Sequence, residues 1–316
     1  MNENINVVQN VDCLKGLKTL SDNSVDMILT SPPYDDIRYY GSNKKEINDF
    51  WNYEVFKNIA EELTRVLKEG GIIVWVVGDS TIQNSESGTS FKQALYFKED
   101  CKLNIHDTMI YEKNSFSFPA KGKYNQIFEY MFIFSKGKPK TFNPIKDRAN
   151  KWFNTPKWGK ATKRGKEDKL VDNNIDNIIT KTPYGTRNNI WKYSTGGNAS
   201  SKDKIAFQHP AIFPERLAIE HILSWSNEND IILDPFSGSG TTLKCAKILN
   251  RNYIGFELNS EYFNIINERI KNIDIDKENE IIKKEYNKSS KDLLKTLEKE
   301  QKDLQIRIDK IKKSLL

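Results

Sequence analysis

Short apolar runs alternate with stretches of helical spacing through the first third of the chain. NINVV (4–8) reads as a short strand and CLKGLKTL (13–20) as a helix. VDMILT (25–30) is an apolar run halted by a double proline, the pattern of a buried strand. Residues 48–68 have the amphipathic spacing of a helix that ends at Gly70-Gly71. IIVWVV (72–77) is continuously apolar, as in the centre of a parallel sheet. NIHDTMIYEK (104–113) and IFEYMFIFSK (127–136) add two strands. The alternation resumes near the C-terminus. A helix is predicted over 211–225, a strand over 231–236, a helix over 241–250, a strand over 253–258 and a helix over 261–272. This order predicts an α/β fold with a doubly wound, mostly parallel sheet.

Two segments break the pattern. Residues 137–205 are rich in Lys, Asn, Trp and Gly, and their apolar periodicity is weak. The simplest topology gives 1–136 and 206–272 one shared sheet, with 137–205 as a separate inserted lobe. The tail, 277–316, is dense in Lys and Glu and holds neither Pro nor Gly. Its Leu294, Leu297, Gln301, Leu304, Ile308, Ile311 and Leu315 step by three and four. That spacing fits a coiled-coil seam joining two copies, or one amphipathic helix packed on its own domain.

Charge sharpens the view of the insert. The chain of 316 residues carries a net charge of +6. Lys136 to Lys204 hold 17 Lys and Arg against 6 Asp and Glu, an excess of +11, so the remainder is −5. A basic segment in an acidic protein is the footprint of a polyanionic partner, most often nucleic acid. A solvated loop region would look similar. No run approaches the roughly 18 apolar residues of a membrane span, and the first ten residues lack the features of a signal peptide. Cys13, Cys101 and Cys245 lack CxxC spacing, and there are three histidines. Neither a disulfide framework nor a metal site is expected, and a reducing cytoplasm fits.

Candidate chemistry lies at two strand ends. Asp234-Pro235-Phe236-Ser237-Gly238-Ser239-Gly240-Thr241-Thr242 joins a predicted strand to a predicted helix. Its glycines permit a tight turn and close approach of a ligand to a helix N-terminus. The next strand ends in Glu257, 17 residues beyond Gly240, where a carboxylate can accept both hydroxyls of a ribose. The pattern G-x-x-x-x-G-K is missing from the loop, so a nucleoside cofactor without a phosphate clamp is expected. S-adenosylmethionine fits. Thr30-Ser31-Pro32-Pro33-Tyr34 ends the 25–30 strand. Two prolines remove N–H donors and leave carbonyl acceptors beside a hydroxyl and an aromatic ring. That cluster suits a planar ring bearing an amino group, and also reads as a rigid turn.

Together, S-P-P-Y and D-P-F-x-G-S-G-T-T resemble the amino-methyltransferases of DNA, over about residues 5–270. The order, catalytic motif first and cofactor loop last with a basic insert between, is similar to the permuted β group of that family. The resemblance implies a Rossmann-like methyltransferase fold with an inserted recognition lobe and a C-terminal helix. It implies S-adenosylmethionine as cofactor and double-stranded DNA as partner, with the target base flipped out of the duplex. Ser31, Pro32, Pro33 and Tyr34 would serve the base, Tyr34 by stacking and Ser31 with the Pro32 carbonyl by accepting the amino hydrogens. Asp12, Cys13, His209, Pro210, Phe213, Asp234, Pro235, Phe236, Gly238, Gly240, Thr241, Thr242, Glu257 and Leu258 would surround the cofactor. Lys157, Lys160, Lys163 and Arg164 of the insert would meet DNA. In the family, Ser at the first motif position goes with cytosine N4, and Asp or Asn with adenine N6. Cytosine N4 is therefore the expected target and adenine N6 the alternative. A catalytically silent DNA-binding module is the reading from another class. Trp152, Trp158 and Trp191 would give the insert a small core or stack on bases.

Overall fold

The apolar run Val25–Thr30 forms the buried strand that its composition predicts, and the sheet grows outward from it. The computed structural model describes residues 5–34, 51–114, 122, 124–150, 153, 160–164, 169–174, 182–197 and 199–284. The strands of the main sheet are β1 (Val7–Asn10), β2 (Val25–Thr30), β3 (Leu67–Val77) and β4 (Asn104–Lys113), then β5 (Phe128–Ser135), β6 (Ile190–Tyr193), β7 (Ile231–Asp234) and β8 (Asn252–Glu257). The order across this eight-stranded sheet is β1-β8-β7-β2-β3-β5-β4-β6. Neighbours are parallel except where β5 meets β3 and β4.

Helices α1 (Cys13–Leu17), α2 (Tyr53–Val66), α3 (Thr89–Glu99), α4 (Glu215–Trp225), α5 (Thr241–Ile248) and α6 (Ser260–Lys271) complete this unit. Alternate residues of β3 divide between the two faces of the sheet. Ile73, Trp75 and Val77 join Phe56, Ile59 and Leu63 of α2 and Phe97 of α3 in one core. Trp75 meets Phe97 edge-on at 5.2 Å and the tilted ring of Phe56 at 5.9 Å. The intervening Ile72, Val74 and Val76 are as fully buried, so both faces are covered, as a central parallel strand requires.

Several boundaries move from the sequence expectation. Helix α2 stops at Val66 and β3 begins at Leu67, so the strand runs through Gly70-Gly71 instead of starting after them. Pairing explains the shift, since Gly70 N–H donates to the Lys136 carbonyl at 2.7 Å and Leu67 pairs with Val25. Helix α4 starts at Glu215, after Pro214.

The chain divides into two compact units. The first holds everything up to Asn143 and Asn189–Asn279; the second holds Pro144–Asn188 and the chain after Asn279. The basic insert was expected to span 137–205. Residues 189–205 instead return to the main unit, because Ile190–Tyr193 pairs in parallel with β4. Trp191 is therefore no part of an insert core; it is buried and stacks on His221 at 4.7 Å. Within the second unit, Lys160–Arg164 pairs antiparallel with Leu170–Asn174, and Arg148–Ala149 with Tyr184–Gly185. Arg187 Nε donates to Asp147 Oδ2 at 2.8 Å. Trp152, Trp158 and the tail seam at 294–315 lie outside the described residues.

Candidate functional site

Five neighbouring strands, β1, β8, β7, β2 and β3, run in one direction, so their C-terminal ends share one edge of the sheet. Ligands of open α/β sheets bind at such an edge. The chain places Asp12, Glu257, the 234–242 loop and Ser31–Tyr34 there, as the motifs predict.

The two motifs are tied by one buried contact. Thr30 Oγ1 donates to Asp234 Oδ1 at 2.6 Å across 204 residues of sequence. The same carboxylate oxygen accepts the Phe236 N–H at 3.1 Å. Thr242 Oγ1 donates back to the Leu29 carbonyl at 3.2 Å, and Ser237 Oγ to the Asp234 carbonyl at 2.9 Å. Asp234 is 1% exposed, and burial pushes its carboxyl up to about 6 despite the donors around it. Its task is to hold the loop on β2, which the sequence did not show.

The loop itself needs its glycines. Gly238 and Gly240 have φ of +52° and +79°, a region L side chains rarely adopt. A Cβ on Gly238 would stand 3.0 Å from His209 Nε2, and one on Gly240 2.8 Å from Ile266 Cγ2. His209 is thus beside the loop, and Tyr262 meets its ring edge-on at 4.4 Å. Pro210 is exposed, and Phe213 half-buried. Phe236 meets Trp51 edge-on at 5.3 Å, and Pro235 is buried. Behind the loop, Arg269 donates to the Ser239 carbonyl and to Ser239 Oγ. Arg269 and Lys244 share Asp203 and Glu215 in a cluster of two cations and two carboxylates, with contacts of 2.7–3.1 Å. Lys244, near the start of α5, is held in this cluster, away from any phosphate role.

Glu257 closes the far side. Its Oε2 accepts the Gly238 N–H at 2.7 Å and its Oε1 the Asn259 N–H at 2.8 Å. Burial, with Asp234 nearby as a lesser contribution, pushes its carboxyl up to about 7. Asn10 Nδ2 donates to the carbonyls of Glu257 and Leu258 at 2.8 and 3.0 Å, which sets β1 against β8. Asp12 caps α1 through the Lys15 N–H, and Leu258, directly after Glu257, is 51% exposed. Burial and Asp12 push the Cys13 thiol up to about 12, so it is a packing residue.

At the S-P-P-Y turn, Pro32 and Tyr34 are buried while Ser31 and Pro33 are half-buried. Tyr34 was expected to offer its ring to a base. It is only 8% exposed, and its hydroxyl is engaged inside the protein. Ser31 Oγ donates to Tyr34 Oη at 3.1 Å, and Tyr34 Oη donates to Glu129 Oε2 at 2.8 Å, with the Val76 carbonyl farther off at 3.4 Å. Glu129 in turn forms an ion pair with Lys113. Sequence reasoning missed Glu129, although a carboxylate inside the apolar strand FEYMFIFS was a visible signal. It also missed Arg269, Asp203 and Asn10. Residues 35–50, directly after the S-P-P-Y turn, lie outside the described residues. The Gln83–Ser90 segment folds against Asp79, which accepts from the Ser87 and Ser90 side chains. Lys157 lies outside the described residues, and only the strand backbone is described at Lys160, Lys163 and Arg164. Among the described residues no His, Cys, Asp and Glu cluster fits a metal ion, and no helix is long and apolar enough to cross a membrane.

Comparison with known proteins places this geometry in context. The N6/N4 methyltransferase family, described as DNA methylase, matches residues 25–268. The orphan methyltransferase M.BamHII of Bacillus amyloliquefaciens is 55% identical over 255 residues, covering 81% of this chain and 92% of that protein. The type II methyltransferase M.BglII of Bacillus subtilis is 28% identical, covering 83% and 68%. Among solved structures, the cytosine-N4-specific PvuII DNA methyltransferase matches with a TM-score of 0.61 at 19% identity, covering 90% of this chain and 92% of that one. TTHA0409 of Thermus thermophilus, solved with S-adenosyl-L-methionine, matches with a TM-score of 0.53 at 20% identity, covering 83% and 93%.

Two outcomes follow from the buried carboxylates. Thr30→Val keeps the side-chain shape and deprives Asp234 of a donor. It is expected to cost about 1–3 kcal/mol of stability, read as a lower urea midpoint at unchanged slope. Asp234 and Glu257 hold protons to about 6 and about 7 when folded, above the ordinary carboxylate range of the unfolded chain. Between those limits the folded state binds more protons, so the stability these groups contribute falls as pH rises. Glu257→Gln removes one of the two titrations. The drop in urea midpoint of the ligand-free protein between about pH 5 and about pH 8 is expected to be smaller than in the parent.

Proposed function

The chain belongs to the N4-cytosine/N6-adenine family of S-adenosylmethionine-dependent DNA methyltransferases, and on that premise we propose that it methylates cytosine N4 at a specific site in duplex DNA. The observation that carries the reading is the shared strand edge, where Ser31-Pro32-Pro33-Tyr34 and the Gly238–Gly240 loop are locked together by Thr30 and Asp234. The residues present suit a nucleoside sulfonium. The loop has no free lysine for a phosphate, Glu257 offers a carboxylate edge to a diol, and the apolar Leu258 that follows it is open to solvent. S-adenosylmethionine supplies the electrophilic methyl group. Asp12, Cys13 and Leu258 would bound its adenine and Glu257 its ribose. His209, Pro210, Phe213 and the loop from Asp234 through Pro235, Phe236 and Thr241 to Thr242 would bound the rest.

Ser31 and the Pro32 carbonyl accept the hydrogens of the target amine. This lets the nitrogen become more tetrahedral and frees its lone pair, while alignment with the methyl group supplies much of the rate. A base inside a duplex cannot reach this edge, so it enters flipped. Ser31 at the first motif position favours cytosine over adenine. The relative YhdJ of Escherichia coli, 28% identical, bears the name of a DNA adenine methyltransferase, which keeps adenine N6 as the second reading.

The basic insert is the proposed DNA-recognition lobe, with Lys157, Lys160, Lys163 and Arg164 on phosphates, supported by the charge excess of +11 over Lys136–Lys204. The tail seam at 294–315 supports a homodimer. Duplex DNA treated with the protein and labelled cofactor, then digested to nucleosides, is expected to yield N4-methylcytosine by mass spectrometry. N6-methyladenine instead would select the second reading, and no label in either base would overturn both. Duplex affinity is expected to fall steeply with salt, less so when the four basic residues are Ala. Light scattering is expected to give a dimer for the full chain and a monomer for a chain ending at Lys288; a monomer in both would reject the dimer.

A further inference from the structure

Methylating an amino group creates a proton that must leave, and Ser31 is a poor place for it to stay. A serine hydroxyl has one hydrogen and two lone pairs. To accept from the amine it must direct its own hydrogen elsewhere. The structure gives that hydrogen a destination, because Ser31 Oγ donates to Tyr34 Oη at 3.1 Å and Tyr34 Oη donates to Glu129 Oε2 at 2.8 Å. The chain ends at a carboxylate whose side chain is 10% exposed and whose other oxygen pairs with Lys113. Nothing in the motif itself supplies such a group, since Ser31, Pro32, Pro33 and Tyr34 carry no carboxylate.

We infer that Glu129 receives the proton released by methyl transfer, through a relay running from Ser31 by way of Tyr34. The inference rests on the amino-methyltransferase reading above. As the amine nitrogen bonds to the methyl carbon, the methyl–sulfur bond breaks and its electron pair stays on sulfur, leaving a neutral thioether. The nitrogen, now cationic, gives a proton to Ser31 Oγ. The Ser31 hydrogen passes to Tyr34 Oη, and the Tyr34 hydrogen to Glu129 Oε2. One positive charge on sulfur and one negative charge on Glu129 are consumed together, so the pocket ends the step neutral at those two groups. Before transfer the same bonds turn the Ser31 lone pairs toward the amine. Glu129 acts through Tyr34 as a positioning residue and proton acceptor. Lys113 is the charged side chain paired with it. The carboxylate loses the proton to solvent before the next turnover.

Two variants keep the shape and break the relay at different links. Glu129→Gln still accepts from Tyr34 but is far too weakly basic to keep a proton. Tyr34→Phe removes one oxygen and retains the ring. Single-turnover methyl transfer to duplex DNA is expected to slow by about 10²-fold in each, the lower end of general-base effects. Affinities for S-adenosylmethionine and for the duplex are expected to stay within about twofold, which separates the relay from a structural role. Because both changes cut one chain, the double variant is expected to be about as slow as either single variant. Parent-like transfer in either variant, losses that multiply in the double variant, or cofactor affinity lost along with the rate would each overturn the relay. If one variant does not fold, the other decides alone by its rate. A parent that transfers no methyl group to an amino nitrogen overturns the underlying function, a distinct outcome from slow or unaffected variants of an active parent.

Discussion

A single buried hydrogen bond, from Thr30 to Asp234, sets the distance between the two halves of the site. Parallel strands can be neighbours and still end at different heights. Here the ends of β2 and β7 are matched because a side chain at the close of one strand satisfies a carboxylate at the close of the other. Asp234 cannot be left unpaired at 1% exposure, so the loop that follows it has little freedom to drift. Thr242 then repeats the tie from the helix side by bonding Leu29. Together the two bonds hold the end of β2 and the 234–242 loop in one fixed register.

The back of the cofactor loop is held differently. Arg269 reaches the Ser239 carbonyl while sharing Asp203 and Glu215 with Lys244, so charges that would be costly alone compensate one another. The cluster binds α4, α5 and α6 to the segment that precedes His209. Burial pushes the Asp203 carboxyl up, but Lys244 and Arg269 outweigh it and hold the group below its ordinary value. One side of the loop therefore rests on hydrogen bonds to the carboxyl groups of Asp234 and Glu257 and the other on a compact set of ion pairs.

Much of this was legible from the sequence, and the failures have physical causes. The placement of both motifs at strand ends follows from apolar runs halted by Pro or Gly, while strand 104–113 shows in its interleaved apolar and polar residues. Helix α3 was missed because its apolar residues do not form one stripe. Ala94 and Phe97 are buried while Phe91 and Leu95 face solvent. Strand β6 was assigned to the insert because IWKY is short and flanked by polar residues; its place is fixed by pairing with β4, about 80 residues earlier in the chain. Ser31, Gly238 and Glu257 could be read because their chemistry is written in local motifs. Glu129 and Arg269 act across the fold; a carboxylate in an apolar strand marks Glu129 as unusual, but neither sequence context names a partner 95 or 30 residues away.

The pairing of β1 with β8 joins Val7–Asn10 to residues 254–257. Non-local pairing of this kind delays folding, because the chain must close a long loop before the contact returns any free energy. During synthesis, at about 5–20 residues per second, the first strand waits on the order of ten seconds or longer for its neighbour. Until then Asn10 has no carbonyl of Glu257 or Leu258 to bind. The first strand of the chain therefore takes its place in the sheet only after residues 254–257 have been made.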